Sequence, residues 1–293
     1  MSAYLTHIIM GEEVYNNCFN DYKLFKCDIG LSNFKASCLS VDLSKFCSVS
    51  YFSHNRDTDI YFFNMIDYVK ENKLYLDKDV MAILYGSICH YYLDVYTHPL
   101  IYYVSCNCLS SGIISPHDLT EGYISSYMLS KKNILNYDYK YLGNINFSSR
   151  NLTNVLNYTY YRTYNYGNIN DIYNLTFNVI KLLEKCVNKI DRSKLISLVG
   201  FNQYLKLNNL TRNEIVNDNK DIWSNPITGE IYNYSFMELY DKAIIKSCEV
   251  IDLVNKYIYD GIYVDLFSLF TNLSYDTGVS CLLGRNFTYV KRK

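Results

Sequence analysis

Histidine, proline and glycine are all scarce in this chain: 293 residues hold 5 His, 3 Pro and 12 Gly. So little turn punctuation argues against a many-stranded all-β fold. Surplus charge is absent too, with 28 Lys+Arg against 29 Asp+Glu and a formal net charge of -1. Domains that grip nucleic acid by bulk charge carry a basic excess, so stable nucleic-acid binding is not expected. No uncharged apolar run reaches the roughly 18 residues of a transmembrane helix. The start, Met1-Ser2-Ala3-Tyr4-Leu5-Thr6, has neither the basic region nor the apolar stretch of a secretory signal. A cytoplasmic protein, or one released without a signal peptide, is therefore expected, with its thiols reduced. The 10 Cys include no CxxC pair, so zinc-finger spacing is missing. Cys106 and Cys108 read as two ordinary buried thiols.

Against these absences stands a hydrophobic content of 49%, enough to bury a sizeable core and to exclude intrinsic disorder. Tyrosine is extreme at 33, and Asn, Ile and Lys are frequent, the signature of an AT-rich coding sequence more than of a dedicated tyrosine surface. No repeat or disordered linker divides the chain, so one domain over residues 1–293 is expected. Its apolar spacing is helical, which makes it all-α. From Phe236 a stripe runs through Leu239, Tyr240, Ala243, Ile244, Ile251, Val254 and Ile258, one face of a long amphipathic helix. Ser235 and Glu238 form a capping box at its start. Residues 79–98 are apolar nearly all round, as in a buried central helix. Ser115-Pro116-His117-Asp118 is a helix start, with Ser as N-cap and Pro at the first helical position. Further helices are expected near 4–17, 58–72, 150–160 and 171–190, with loops at 131–149, 161–170 and 200–233.

All 5 histidines, at 7, 54, 90, 98 and 117, fall in the first 117 residues. Shared metal ligation explains such clustering. In His90-Tyr-Tyr-Leu-Asp94-Val-Tyr-Thr-His98-Pro99 the three polar side chains are four apart, so a helix aligns two imidazoles around one carboxylate. Buried in an apolar helix, that column needs partners. Pro99 disfavours helical geometry at His98, so His98 is expected at a fraying end, turned away from its neighbours. His117 and Glu121 repeat the four-residue spacing in the next helix. Asp42 precedes His54 by twelve residues, and His7 stands on the N-terminal helix.

These stretches resemble the zinc-dependent phospholipase C family, which shares its all-α fold with single-strand-specific nucleases of the S1/P1 type. The similarity is greatest to the short bacterial branch without signal peptides. The matching segments are Thr6-His7-Ile-Ile-Met-Gly11-Glu12, Leu39-Ser-Val-Asp42 before His54, Gly86-Ser-Ile-Cys-His90-Tyr-Tyr-Leu-Asp94 through His98-Pro99, and His117 to Glu121. Trp223-Ser-Asn-Pro226, Ser235-Phe236-Met-Glu-Leu239-Tyr240 and Asn272-Leu-Ser-Tyr275-Asp-Thr-Gly278 extend it over nearly the whole chain. The resemblance implies two to three zinc ions: one held by Asp42, His54, His90 and Asp94, one by His7 with Asp94 bridging, and one by His98, His117 and Glu121. The ligands would lie within 1–125, with helices of 150–293 completing the core. It also implies hydrolysis of phosphodiesters, most plausibly phospholipid headgroups, by a metal-activated hydroxide attacking phosphorus, with Asp42 and Asp94 as catalytic residues. Secreted members complete the bridged pair with a processed N-terminal amine; the Ser2 amine is the available substitute here. Choline-specific members carry an aromatic after the Asp42 position, where this chain has Leu43. Tyr51 and Phe52 are then the candidate aromatic faces for a cationic headgroup.

Three other readings remain open from the residues alone. One is a single-strand-type nuclease or nucleotidase on the same fold, stacking bases on tyrosines. Another is an HD-type phosphohydrolase built on His117-Asp118. The third is a non-catalytic helical binding protein whose metals are structural or lost.

Overall fold

In the computed structural model, residues 3–17, 27–110, 114–134, 143–187 and 201–291 are described. At its centre lies a helix of 28 residues, α5 (Lys78–Ser105), whose first turn is capped by the Asp77 side chain accepting from the Asp79 and Val80 amides. Val80 through Val95 are buried without interruption, because a helix apolar on every side must be covered on every side. Four helices do most of this: α1 (Ala3–Tyr15), α2 (Leu31–Ser37), α6 (Pro116–Lys131) and α11 (Phe236–Tyr259). α11 lays its buried stripe, Leu239, Ala243, Ser247, Val250, Ile251 and Val254, along α5. Its capping box forms as expected, with Ser235 accepting from the Glu238 amide and Glu238 accepting from the Ser235 amide. Gly86 lets α2 press on α5: a Cβ there would lie 2.4 Å from the Ser37 carbonyl carbon.

Around this centre, α3 (Ser50–Asn55) leads into α4 (Thr58–Glu71), and α7 (Arg150–Tyr164) packs on α4. α8 (Ile169–Val187) closes over the 3₁₀ turn Val41–Ser44. Among the described residues the ladder of β1 (Trp223–Ser224) and β2 (Ile231–Tyr232) is the sole sheet. The buried apolar side chains form one continuous cluster running from Tyr4 to Tyr275. The architecture is the expected all-α one. Many tyrosines serve as core bulk: Tyr61, Tyr85, Tyr91, Tyr160, Tyr173, Tyr204, Tyr240 and Tyr275 are among the largest fully buried side chains. Several of their hydroxyls find partners inside, as where Tyr160 and Tyr173 share a 2.8 Å hydrogen bond.

Three local expectations need correction. α5 does not fray at His98 but runs through Pro99 to Ser105. Pro99 has no amide to give the Val95 carbonyl, and that carbonyl faces Gly278 instead. A Cβ on Gly278, whose φ is +65°, would sit 2.4 Å from the Val95 oxygen and 2.8 Å from Pro99 Cγ. The presumed loop 161–170 is mostly helix, because α7 extends to Tyr164 before Asn165 ends it in the left-handed region and α8 begins at Ile169. The presumed loop 200–233 holds α9 (Phe201–Leu207), α10 (Arg212–Val216) and the strand pair. Thr211 and Glu214 supply α10 with a capping box in a segment whose polarity masks it. Position 200, the 135–142 part of the 131–149 loop, and the 188–190 end of the 171–190 helix lie outside the described residues.

Candidate metal centre

The column on α5 forms, and it forms buried. His90, Asp94 and His98 are 0%, 2% and 8% exposed. Asp94 gathers three imidazoles: His90 Nε2 lies 3.1 Å from Oδ2, while His7 Nε2 and His98 Nε2 lie 3.3 Å and 3.5 Å from Oδ1. His7 arrives from α1 and stacks flat on His90, ring centroids 4.1 Å apart and planes 13° from parallel. From the 3₁₀ turn Val41–Ser44, Asp42 comes within 3.4 Å of His54 Nε2 at the end of α3. The four-residue repeat on α6 sets His117 Nε2 3.2 Å from Glu121 Oε1, and His98 Nε2 shares the same oxygen at 3.1 Å.

The backbone decides which ring nitrogen is available. His90 Nδ1 donates to the Cys38 carbonyl at 2.9 Å, His98 Nδ1 to the Tyr275 carbonyl at 3.0 Å, and His54 Nδ1 to the Ser50 carbonyl at 2.8 Å. A carbonyl can only accept, so each Nδ1 carries the hydrogen and each neutral ring presents its Nε2 lone pair. Those lone pairs face carboxylate oxygens, which also only accept. Acceptor against acceptor at these distances requires a proton or a cation between them. His90 Nε2 and His7 Nδ1 are buried with no hydrogen-bond partner.

All eight expected ligands fall into three groups whose ligand atoms lie within 4.8 Å of one another: His7, Asp42 and His90; His54, His90 and Asp94; and His98, His117 and Glu121. The last group is the expected one. The other two share His90 and group the remaining expected ligands differently, with His7 beside Asp42 and His90 while it keeps its 3.3 Å approach to Asp94. Imidazole nitrogens with carboxylate oxygens and no thiolate are a donor set suited to zinc. The Ser2 amine lies outside the described residues.

Without a cation the cluster would hold protons instead. Burial disfavours charge on His98, but Asp94 and Glu121 outweigh it and push its pKa up to about 10. His90, likewise opposed by burial and favoured by Asp94, rises to about 9. His7 moves the other way, lowered by burial and by the adjacent His90. For Asp94 and Glu121 the neighbouring imidazolium charges overcome burial and hold both carboxyls well below the usual range.

The cluster floors a cavity of about 550 Å³. Residues that local patterns could not reveal complete its wall, notably Lys45, Tyr102, Asp276 and Arg285. Asp276 receives hydrogen bonds from Asn55 Nδ2 at 2.8 Å and Tyr102 Oη at 3.3 Å, and it pairs with Arg285 Nε at 3.1 Å. The segment after Asn272 therefore does more than complete a core: it braces His98 through Tyr275 and closes the pocket. Of the two expected aromatic faces, Tyr51 lines the cavity and Phe52 is absent from its lining. Each already has a guanidinium beside it, Arg285 at 5.7 Å from the Tyr51 ring and Arg56 at 5.8 Å from that of Phe52. Cys106 and Cys108 are free thiols, as expected, but not buried ones: α5 ends at Ser105, which leaves Cys106 exposed and Cys108 half-buried.

Among the described residues no helix is long and apolar enough to cross a membrane. No model of a known protein family matches the chain, and neither curated proteins nor solved structures give a significant match.

Proposed function

We propose that the protein is a zinc-dependent phosphodiester hydrolase of the phospholipase C kind, acting on phospholipid headgroups. The observation that carries this reading is the set of three abutting His/carboxylate groups at the floor of one open cavity. A purely structural metal is held in a closed shell, whereas a catalytic one keeps a face toward substrate. Here His90 is fully buried, while the His54–Asp42 pair, with side chains 13% and 15% exposed, lines the cavity together with His98 and Glu121 of the third group.

Asp42, His54, His90, Asp94 and His7 would hold one or two ions, and His98, His117 and Glu121 a further one. When bound, zinc supplies a nucleophile from water near neutral pH and a positive floor for phosphoryl oxygens, its charge exceeding that of the three carboxylates. The chain's own part is orientation and proton handling. The Cys38, Ser50 and Tyr275 carbonyls fix three rings in the ligating tautomer. Burial favours a neutral Asp42, but the His54 hydrogen bond and the His90 charge outweigh it and hold the carboxyl below its usual range. Asp42 thus remains an anion at the cavity edge, able to accept a proton from an attacking water. A cavity of about 550 Å³ is of a size to hold a headgroup and its phosphate.

The test is hydrolysis of bis(p-nitrophenyl) phosphate and of short-chain phospholipids by zinc-reconstituted protein. Turnover abolished by chelation and restored by zinc is expected. Absence of turnover on every phosphodiester offered would overturn the reading.

A further inference from the structure

The cavity wall carries two cations, and their surroundings differ. Lys45 follows directly on the turn that presents Asp42, with its amide bonded to the Asp42 carbonyl at 3.0 Å. It lines the cavity yet makes no ion pair among the described residues. Arg285 also lines it, with its guanidinium carbon 5.7, 5.5 and 5.6 Å from the ring centroids of Tyr51, Tyr102 and Phe287. Its Nε faces Asp276 and one Nη donates to Tyr102 Oη at 3.0 Å. A guanidinium has five N–H donors, so donors remain for a ligand.

These positions decide what charge a headgroup can bring. Aromatic rings attract cations through their faces, and a pocket built for a quaternary ammonium would leave such faces open. Here the rings at the cavity, Tyr51 and Tyr102, already have the chain's own cation beside them, and a headgroup whose only charge is an ammonium would meet Arg285 and Lys45 as like charges. Lys45 lies 5.6 Å from the Tyr4 ring centroid and near Asp42 but in no ion pair among the described residues, so an anionic substituent would meet its ammonium without breaking a salt bridge.

We propose that Lys45 and Arg285 form an anion subsite beside the metal centre, so that the site takes phosphodiesters whose headgroup carries a carboxylate or phosphate in preference to a quaternary ammonium. This names the substrate class for the function proposed above and rests on that reading. Lys45 carries the preference, since Asp276 offsets part of the Arg285 charge.

Two measurements separate the subsite from the chemistry. Hydrolysis of bis(p-nitrophenyl) phosphate, which has no headgroup charge, reports the phosphodiesterase alone. Calorimetric titration of the zinc-loaded protein with glycerophosphoserine and glycerophosphocholine, alongside hydrolysis of dihexanoyl phosphatidylserine and phosphatidylcholine, reports the preference. The serine compounds are expected to bind and react about tenfold better, the size of a charge-assisted contact, with the margin narrowing as salt is raised. Lys45→Gln should bring the ratio near unity, and Lys45→Glu should invert it. Lys45 is exposed, and beyond its 5.6 Å approach to the Tyr4 ring neither change touches the core; an unchanged Tm in both variants checks this. Equal or better binding of the choline compound, or an unchanged ratio in Lys45→Gln, overturns the anion subsite while leaving a phosphodiesterase in place. A serine preference in the titration with no hydrolysis of bis(p-nitrophenyl) phosphate overturns the phosphodiesterase and leaves the subsite standing.

Discussion

His7 lies flat against His90, two buried imidazoles with centroids 4.1 Å apart. Two imidazolium charges repel at that separation, and the pKa values part accordingly: His7 is lowered by burial and by His90, while Asp94 lifts His90 to about 9 against its own burial. Ligands must be deprotonated to bind metal, so uptake is linked to proton release. At pH 7 the metal-free protein holds protons on His90 and His98, the latter lifted to about 10. Zinc loading should therefore release about two protons, with none from His7. Calorimetry in buffers of different ionisation heat measures this directly, and release of no protons would contradict the assigned states.

The same shifts set how stability depends on pH in the metal-free chain. A His whose pKa is raised on folding stabilises fully below its ordinary value near 6.5 and loses that contribution as pH climbs through the folded value. For His90 and His98 the loss sets in above about pH 6.5 and is complete by about pH 9 and 10 respectively. Asp94 and Glu121, held low, contribute above the ordinary carboxylate range and lose it as pH falls toward their folded values. Zinc should remove the alkaline decline, because bound imidazoles carry no proton to lose. At neutral pH, chelation should lower Tm by at least about 5 °C, given that ligand at a hundred times Kd contributes about 2.7 kcal/mol and each kcal/mol shifts a chain of this size by about 2 °C or more. Identical melting curves with and without chelator would count against a loaded site.

Asp94 and Asp276 should separate in mutagenesis. Asp94 touches three imidazoles, so Asp94→Asn should abolish zinc retention at the groups that share His90, and hydrolysis with it. Asp276 makes no contact expected of a ligand and instead ties Asn55, Tyr102 and Arg285 together beside His98. Asp276→Asn should keep its zinc and lose about ten- to a hundredfold in rate, the usual effect of a supporting partner. Full zinc and full activity in Asp94→Asn would remove that residue from the centre.

Two glycines link packing to the site. Gly86→Ala would drive a methyl into Ser37 and lift α2, whose following residue Cys38 holds His90 by its carbonyl. Gly278→Ala would strain a φ of +65° and press on Val95, three residues beyond the Tyr275 carbonyl that holds His98. Each should destabilise by about 1–3 kcal/mol and weaken zinc retention as well. A variant with lowered Tm but unchanged zinc affinity would show that these packings do not position the ligands.

Much of this centre was legible in the sequence because its main relations are local. Spacing of four on a helix aligned His90, Asp94 and His98, and again His117 with Glu121, while caps at Ser115 and Ser235 fixed where their helices begin. Pro99 misled, since the helix break it suggests is countered by Gly278, a residue 179 positions away whose proximity no local rule shows. Lys45 and Arg285 were invisible for a related reason: they reach the cavity by tertiary packing, and an isolated Lys or Arg in sequence reads as surface; Asp276 stood in a matching segment, but nothing local gave it a role at the cavity. Phe52 illustrates the converse, an aromatic near two ligands in sequence that the end of α3 leaves outside the cavity lining.

The most direct test of the central claim is metal content per chain, by plasma mass spectrometry, on protein purified without a histidine tag and reconstituted with zinc. The three ligand groups predict two to three zinc ions per chain, falling to none in Asp94→Asn at the groups that share His90. One ion or none in the wild-type chain would contradict an assembled hydrolytic centre.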